Sequence, residues 1–270
     1  MDLGLTDRTA FVAGSSKGLG WAAAAELAKE GCRVALCSRD EERITAAADR
    51  ISATTDAPPD RVLPLVCDVT DEAAVEQAIS ETVDVFGRLH VLVTNAGGPP
   101  AGAATEMTTE AYREAVELNL MSTIALCDAA LPHLRVAADE DGHARIIMVT
   151  SVSAKQPIPN LALSNTARAG VQGYAKSLAA DLGPSEITVN TVLPGYTRTD
   201  RLEELAERIQ DETGQTYDEV EADWAEQNAL PRIGSPDEFA ATVAFLASAR
   251  AGYVTGAALP VDGGRSKHLL

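Results

Sequence analysis

The chain of 270 residues is poor in aromatic side chains and has no long uninterrupted apolar run. Only 4% of its residues are Phe, Trp or Tyr although 46% are hydrophobic, so small aliphatic side chains must fill the core. Without a run of about 18 apolar residues, we expect no membrane-spanning helix. The length suits one large α/β domain.

The cysteines lack metal-ligand spacing, and the N-terminus lacks the pattern of a signal peptide. Cys32, Cys37, Cys67 and Cys127 are scattered, which is typical of reduced core cysteines. The opening MDLGLTDRTA has no basic stretch followed by an apolar one. We therefore expect a cytoplasmic protein without a metal site.

Basic residues are scarce: 22 stand against 40 acidic ones, for a net charge of −18, and only five are lysine. An acidic surface repels nucleic acid phosphates and anionic membranes, so we expect neither as a partner. Acid-rich, lysine-poor chains stay soluble in strong salt, where charge repulsion is screened. A salt-loving host is one explanation of this composition, and GC-rich DNA is the other.

Short apolar runs alternate with longer amphipathic ones along the whole chain. Apolar strands separated by helices indicate parallel strands that are buried on both faces. We therefore predict an α/β fold in one domain, 1–270: a single doubly wound parallel sheet (Rossmann fold) with helices on both faces. The predicted strands lie at 9–14, 33–38, 62–69, 89–97, 145–151, 188–195 and 257–264.

The acidic interval 197–226 interrupts this alternation directly after a strand. Its apolar residues are spaced as in a pair of helices. It is either a solvated helical excursion or a helical lid over a substrate crevice, because such sheets bind ligands at the carboxyl ends of their strands.

AGSSKGLG (13–20) lies between the first strand and the first helix. Its glycines permit a tight turn and close approach of a pyrophosphate to the backbone, and the helix N-terminus favours negative charge. The alternative is that the glycines serve helix–strand packing alone. The residues expected at the cofactor here are Gly14, Ser16, Lys17, Gly18, Leu19 and Gly20.

The end of the second strand favours NADP(H) over NAD. An NAD site usually places an acid there to bind the ribose 2′-hydroxyl. Here Ser38 is neutral, Arg39 is cationic and Lys17 adds a second cation, although Asp40 and Glu41 follow. We expect a 2′-phosphate to bind at Ser38 and Arg39.

These motifs in this order resemble the short-chain dehydrogenase/reductase family over essentially the whole chain. The glycine loop resembles the family's TGxxxGxG with Ala13 in place of threonine, and Asn119 resembles its helix asparagine of the catalytic tetrad. The resemblance implies further cofactor contacts to the adenine, ribose and nicotinamide. The residues in those positions are Asp68, Val69, Asn95, Ala96, Gly97, Pro194, Gly195 and Thr197.

The catalytic positions depart from the family pattern. The family's serine precedes its tyrosine by thirteen residues, and YxxxK supplies the lysine. Ser151 matches the serine, but the tyrosine position holds Ser164 and the lysine position holds Arg168. In the family, the tyrosine hydroxyl passes a proton to the carbonyl and the lysine lowers the pKa of that tyrosine.

An alkyl hydroxyl is shorter and much less acidic than a phenol, and arginine stays charged. The loss of general acid catalysis costs roughly 10²–10⁴-fold in rate, which leaves a weak reductase. Tyr196 and Lys155 are the candidate substitutes for the proton donor, whereas we expect His143 on the surface.

The sequence therefore predicts an NADP(H)-dependent oxidoreductase that acts on a small-molecule carbonyl/alcohol pair. Its relatives include 3-oxoacyl-carrier-protein reductases, but a −18 surface would repel an acidic carrier protein. The alternatives are a catalytically weak NADP(H)-binding protein and a lyase or dehalogenase on the same scaffold. The resemblance also implies a homotetramer or homodimer.

Overall fold

A single parallel sheet forms the centre of the computed structural model, which describes residues 2–55 and 57–269. Across these residues the sheet has seven strands in the order β3-β2-β1-β4-β5-β6-β7, so the predicted doubly wound fold is confirmed. The strands are β1 (Thr9–Val12), β2 (Arg33–Ser38), β3 (Val62–Val66), β4 (Val91–Thr94), β5 (Ala144–Val149), β6 (Ile187–Pro194) and β7 (Ala258–Val261).

Amphipathic helices connect the strands, as parallel pairing requires. Between α4 and α5 the chain makes one π-helical turn, Glu117–Met121. The helices are α1 (Gly18–Lys29), α2 (Glu41–Thr55), α3 (Glu72–Phe86), α4 (Thr109–Val116), α5 (Ser122–Asp141), α6 (Ala162–Leu182), α7 (Asp200–Thr213), α8 (Tyr217–Glu226) and α9 (Pro236–Ala247).

Each face of the sheet has its own hydrophobic core, because successive strand residues point to opposite faces. Ala10 and Val12 of β1 pack with α1, α2 and α9, whereas Phe11 and Ala13 pack with α3, α5 and α6. Alanine, valine and leucine dominate both clusters, as the low aromatic content predicted.

The helices α7 and α8 pack on each other around a smaller, separate core. Its buried members are Leu202, Ala206, Val220, Trp224 and Ile233. The interval 197–226 is therefore a helical pair with its own apolar contacts, and it follows the carboxyl end of β6.

Within residues 2–55 and 57–269, one helical stretch is long and apolar enough to cross a membrane by length and composition alone. This stretch, Thr109–Asp141, has a mean hydropathy of 1.2 over its most apolar window, although we expected no such segment from the sequence. Core helices can meet the same criteria. Here 39% of that window is buried, and the buried residues include Leu126, Ala130 and Leu134, which pack in the core beside α3.

His143 is buried, so the prediction that it lies on the surface was wrong. Its Nε2–H donates to the carbonyl of Ala247 at 2.9 Å, across 104 residues of sequence. Nearby, His90 accepts a hydrogen bond from Thr9 N at 3.0 Å and its Nε2 lies 3.1 Å from Asp141 Oδ2. Burial lowers the pKa of His143 to about 3 and that of His90 to about 4.

These two histidines predict a loss of stability in acid. Both are neutral when folded, whereas an unfolded histidine has a pKa of about 6.5. Below that pH unfolding takes up protons, so each histidine lowers the free energy of unfolding by about 1.4 kcal/mol per pH unit until its folded pKa is reached.

His143→Gln keeps a side-chain N–H donor for Ala247 and removes one titration. We expect the slope of unfolding free energy against pH, between about pH 6 and 4, to fall by about 1.4 kcal/mol per unit. Denaturant titrations at several pH values measure it. Parallel profiles for wild type and variant would contradict this assignment.

Candidate active-site crevice

The glycine loop after β1 lies against the end of β4, where the strand order reverses. Gly14 and Gly18 have positive φ angles of 57° and 60°, which a glycine adopts without strain. Asn95 Nδ2 donates to the carbonyls of Ala13 (3.3 Å) and Gly14 (3.0 Å). This asparagine therefore ties the loop to the neighbouring strand.

Gly20 is required by close packing. A Cβ atom at this position would lie 2.3 Å from Gly14 O and 2.9 Å from Asn95 Nδ2. The helix α1 begins at Gly18, its N-cap residue Lys17 makes no side-chain capping bond, and its first turn has no acid. The backbone N–H groups of that turn are thus suited to an anion such as a pyrophosphate.

Ser38, Arg39 and Asp68 lie together where β2 and β3 end. Arg39 Nη1 is 3.9 Å from Asp68 Oδ2, and both side chains are exposed or half-exposed. Ser38 Oγ donates to the carbonyl of Asp40. The last residue of β2 is Ser38, which is not a carboxylate. The positive charge that we expected here from the sequence is that of Arg39, and it lies beside the carboxylate of Asp68.

Ser151, Ser164 and Arg168 line one cavity, at the carboxyl end of β5 and the N-terminal part of α6. Ser151 Oγ accepts a hydrogen bond from Ser153 N at 3.1 Å, and Ser153 Oγ is 3.3 Å from Ser164 Oγ. Arg168 Nη1 donates to the carbonyls of Thr150 (2.8 Å) and Val149 (3.3 Å). These three side chains therefore line the same cavity.

The charged guanidinium of Arg168 is largely shielded from solvent at the end of β5. Burial, and then the nearby charge of Arg201, lower the pKa of Arg168 to about 10. The guanidinium therefore remains protonated at neutral pH. It is a fixed positive charge at the end of the sheet.

Asn119 lies on the π-helical turn and is buried. Its Nδ2 lies 3.4 Å from Gly97 O, and its Oδ1 has no hydrogen-bond partner among the described residues. Such π turns recur at functional sites, where they redirect a side chain. Asn119 thus stands beside the Asn95–Gly97 segment, whose residues line the cavity.

Tyr196 lines the cavity, whereas Lys155 does not. Tyr196 stacks on Trp224 at 5.0 Å and lies under the Arg265 guanidinium at 3.9 Å, and its hydroxyl accepts from Arg265 Nη2. Burial raises the pKa of Tyr196 despite the nearby Arg265. Lys155 lines a separate hollow with Lys176.

The cavity has a volume of about 660 Å³ and extends from the glycine loop to α7 and the C-terminal segment. It includes residues that we did not predict from the sequence. Arg201 and Arg208 lie seven residues apart, a spacing that places both on one face of α7. The unpredicted lining residues include Ile158, Leu161, Arg201, Leu202, Leu205, Arg208 and Arg265.

No group of three or more His, Cys, Asp or Glu side chains in residues 2–55 and 57–269 is arranged to hold a metal ion. A glycine cradle at a helix N-terminus, set where a doubly wound sheet reverses its strand order, is the architecture of dinucleotide-binding enzymes.

Comparison with known proteins defines the class further. Residues 13–266 match a family model described as Enoyl-(Acyl carrier protein) reductase. The Short-chain reductase protein NovJ of Streptomyces niveus is 37% identical over 263 residues, covering 96% of this chain and 94% of that protein. The 3-oxoacyl-[acyl-carrier-protein] reductase MabA of Mycobacterium tuberculosis is 33% identical, with coverages of 95% and 92%. The chain belongs to the short-chain dehydrogenase/reductase family of oxidoreductases.

Solved structures agree with this membership. L-sorbose reductase from Gluconobacter frateurii, complexed with NADPH and L-sorbose, has a TM-score of 0.92 and 30% identity, with both chains fully covered. A short chain oxidoreductase from Pseudomonas aeruginosa PAO1, described as NADPH-bound and as containing an atypical catalytic center, has a TM-score of 0.88 and 33% identity, with 98% and 99% coverage.

Gly20→Ala tests the glycine cradle. The added methyl group would collide with the Gly14 carbonyl, so we expect a loss of about 1–3 kcal/mol in folding stability, as overpacking typically costs. Gly173→Ala is the matched control, because a Cβ there meets nothing within 4 Å on the exposed face of α6. Equal melting temperatures for the two variants would contradict the close packing.

Proposed function

We propose that the protein is an NADP(H)-dependent reductase of a small-molecule carbonyl compound, or the reverse alcohol dehydrogenase, with a non-standard active site. The observation that carries this proposal is the single cavity that Ser151, Ser164 and Arg168 share with the glycine loop. The proton-donating tyrosine of the family pattern is replaced there by Ser164.

Residues of the glycine loop and at the ends of β2 and β3 suit NADP(H). Gly14, Gly18 and Gly20 leave room for the pyrophosphate, and Arg39 together with Lys17 suits the 2′-phosphate. The NADPH complexes of the L-sorbose reductase and the Pseudomonas oxidoreductase support this choice. Bound NADP(H) would supply or accept the hydride. Asp68, Val69, Asn95, Pro194, Gly195 and Thr197 are the further proposed contacts.

Ser151 would orient the substrate by donating a hydrogen bond to its carbonyl oxygen. Arg168 would stabilise the negative charge that develops on that oxygen, because its guanidinium stays protonated in a partly apolar site. Ser164 is too weak an acid to replace a phenol, so water or the Tyr196 hydroxyl would supply the proton. The Pseudomonas oxidoreductase is described both as NADPH-bound and as containing an atypical catalytic center. This supports our proposal that a non-standard active site can still bind the cofactor.

The helical pair 197–226 would act as the lid of this cavity. Arg201, Leu202, Leu205 and Arg208 of α7 line it, and Lys17 in the glycine loop lies 3.3 Å from Asp200 and 3.5 Å from Glu204. These ion pairs link the first turn of α7 to the cofactor loop. Binding at that loop and the position of α7 would therefore be coupled.

We also propose a cytoplasmic homotetramer or homodimer. The four cysteines are free and buried, as in a reducing compartment. Leu259 of the edge strand β7 is exposed, and Tyr253, six residues before it in sequence, is fully exposed. We expect light scattering to give a dimer or tetramer, and a monomer at micromolar concentration would contradict this expectation.

Ser164→Tyr/Arg168→Lys restores the two family side chains and tests the proposed chemistry. We expect slow NADPH oxidation by the wild type over a panel of ketones and aldehydes in high salt. The double variant should be faster by about 10²–10⁴-fold, the usual contribution of a general acid.

The other outcomes of this assay separate the alternatives. NADPH binding without turnover in the wild type, combined with turnover in the double variant, would contradict the reductase and favour a binding protein. Failure of the wild type to bind NADPH would contradict the proposal outright and favour another reaction on this scaffold. Tyr196→Phe should slow the wild type further if its hydroxyl supplies the proton.

A further inference from the structure

Basic side chains outnumber acidic ones in the lining of the cavity, whereas acidic residues outnumber basic ones in the chain as a whole. The chain has 40 acidic and 22 basic residues, yet among residues 2–55 and 57–269 only one acid, Asp200, lines the cavity. Five basic side chains line it: Lys17, Arg168, Arg201, Arg208 and Arg265. In a protein with a net charge of −18 this concentration of positive charge marks a site for an anion.

Two of the five cations have other roles. Lys17 is paired with Asp200 and Glu204 and belongs to the glycine loop. Arg168 donates to carbonyls at the end of β5, beside the reacting centre. Arg201, Arg208 and Arg265 remain.

These three arginines have no carboxylate within 4.0 Å among residues 2–55 and 57–269. Arg201 donates to the carbonyls of Gly98 and Pro99 at 3.3 and 3.4 Å, and Arg208 Nε lies 3.4 Å from Glu204 O. None of the three guanidinium groups therefore forms a direct ion pair with a carboxylate of the described residues.

Arg265 is held in a fixed orientation. Its guanidinium stacks on Tyr196, which stacks on Trp224, and its Nη2 donates to Tyr196 Oη (3.0 Å) and Gln227 Oε1 (3.3 Å). Asp262 stabilises the turn that contains Arg265, because its carboxylate accepts hydrogen bonds from Gly264 N and Ser266 N. A pre-oriented cation loses little entropy when it binds a ligand.

We propose that Arg265, with Arg201 and Arg208 of α7, binds a carboxylate of the substrate. The planar guanidinium fork matches the two oxygens of a carboxylate. Ile158, Leu161 and Leu205 supply apolar contacts in the same cavity. The inference rests on the proposed reductase and specifies its substrate class: a carbonyl compound or alcohol with an apolar body and a carboxylate.

Equilibrium binding tests the charge preference separately from turnover. Benzoylpropionate and its methyl ester share the ketone and the apolar body and differ in charge. Isothermal titration calorimetry onto the NADP⁺-loaded protein, in the lowest salt that preserves its native circular dichroism, should give at least about tenfold tighter binding of the acid, as expected for one charge-assisted contact.

Arg265→Gln should reduce the preference for the acid to about twofold or less, whereas Arg265→Lys should retain part of it through the charge. Arg208→Gln provides a second variant on α7. Arg135→Gln is the charge-matched control, because Arg135 is exposed on α5 and does not line the cavity. NADP⁺ affinity should be the same in Arg265→Gln and wild type.

Equal affinity of the wild type for acid and ester would overturn the inference. A preference that survives both Arg265→Gln and Arg208→Gln would do the same, as would a loss of NADP⁺ affinity in Arg265→Gln that matched the loss of acid affinity. An intact preference for the acid in a protein that shows no turnover would support this inference while contradicting the proposed reductase.

Discussion

The close approach of the β1–α1 loop to Asn95 is the contact on which the site depends. At this point the sheet reverses its strand order, and the amide of Asn95 holds the carbonyls of Ala13 and Gly14 against the end of β4. Only a glycine at position 20 permits this approach. This contact fixes the N-terminus of α1, which has no side-chain cap, at one end of the crevice. Ser151, Ser164 and Arg168 line the other end of the same crevice.

Charge is distributed unevenly in this molecule: the chain as a whole is strongly acidic, whereas the cavity is lined mainly by basic side chains. The net charge of −18 disfavours the approach of anionic ligands to the surface. Arg168, Arg201 and Arg265 offset that repulsion locally, and α7 contributes to both sides, with acids toward the glycine loop and arginines toward the cavity. The proposed binding of an anion and the proposed role of 197–226 as a lid would thus depend on the same helix, α7.

The sheet could be predicted from the sequence because its buried strands are short apolar runs bounded by polar or glycine residues. The resemblance to the short-chain dehydrogenase/reductase family singled out Ser151, Ser164 and Arg168, and these three residues line one cavity. Long-range contacts could not be predicted: His143 is buried because α9 covers it from 104 residues away. Arg265 reaches the site because the segment after β7 folds back onto Tyr196. Lys155, only four residues after Ser151, lines a different hollow.

Transfer of deuterium tests the central claim most directly, because it detects even slow chemistry. The wild-type protein would be incubated in high salt with a ketone panel and NADPH deuterated at the carbon that carries the transferable hydride. Mass spectrometry would then search for labelled alcohol. The account predicts a protein-dependent, deuterium-labelled alcohol, formed slowly. A protein that binds NADPH and yields no labelled alcohol with any member of the panel would contradict it.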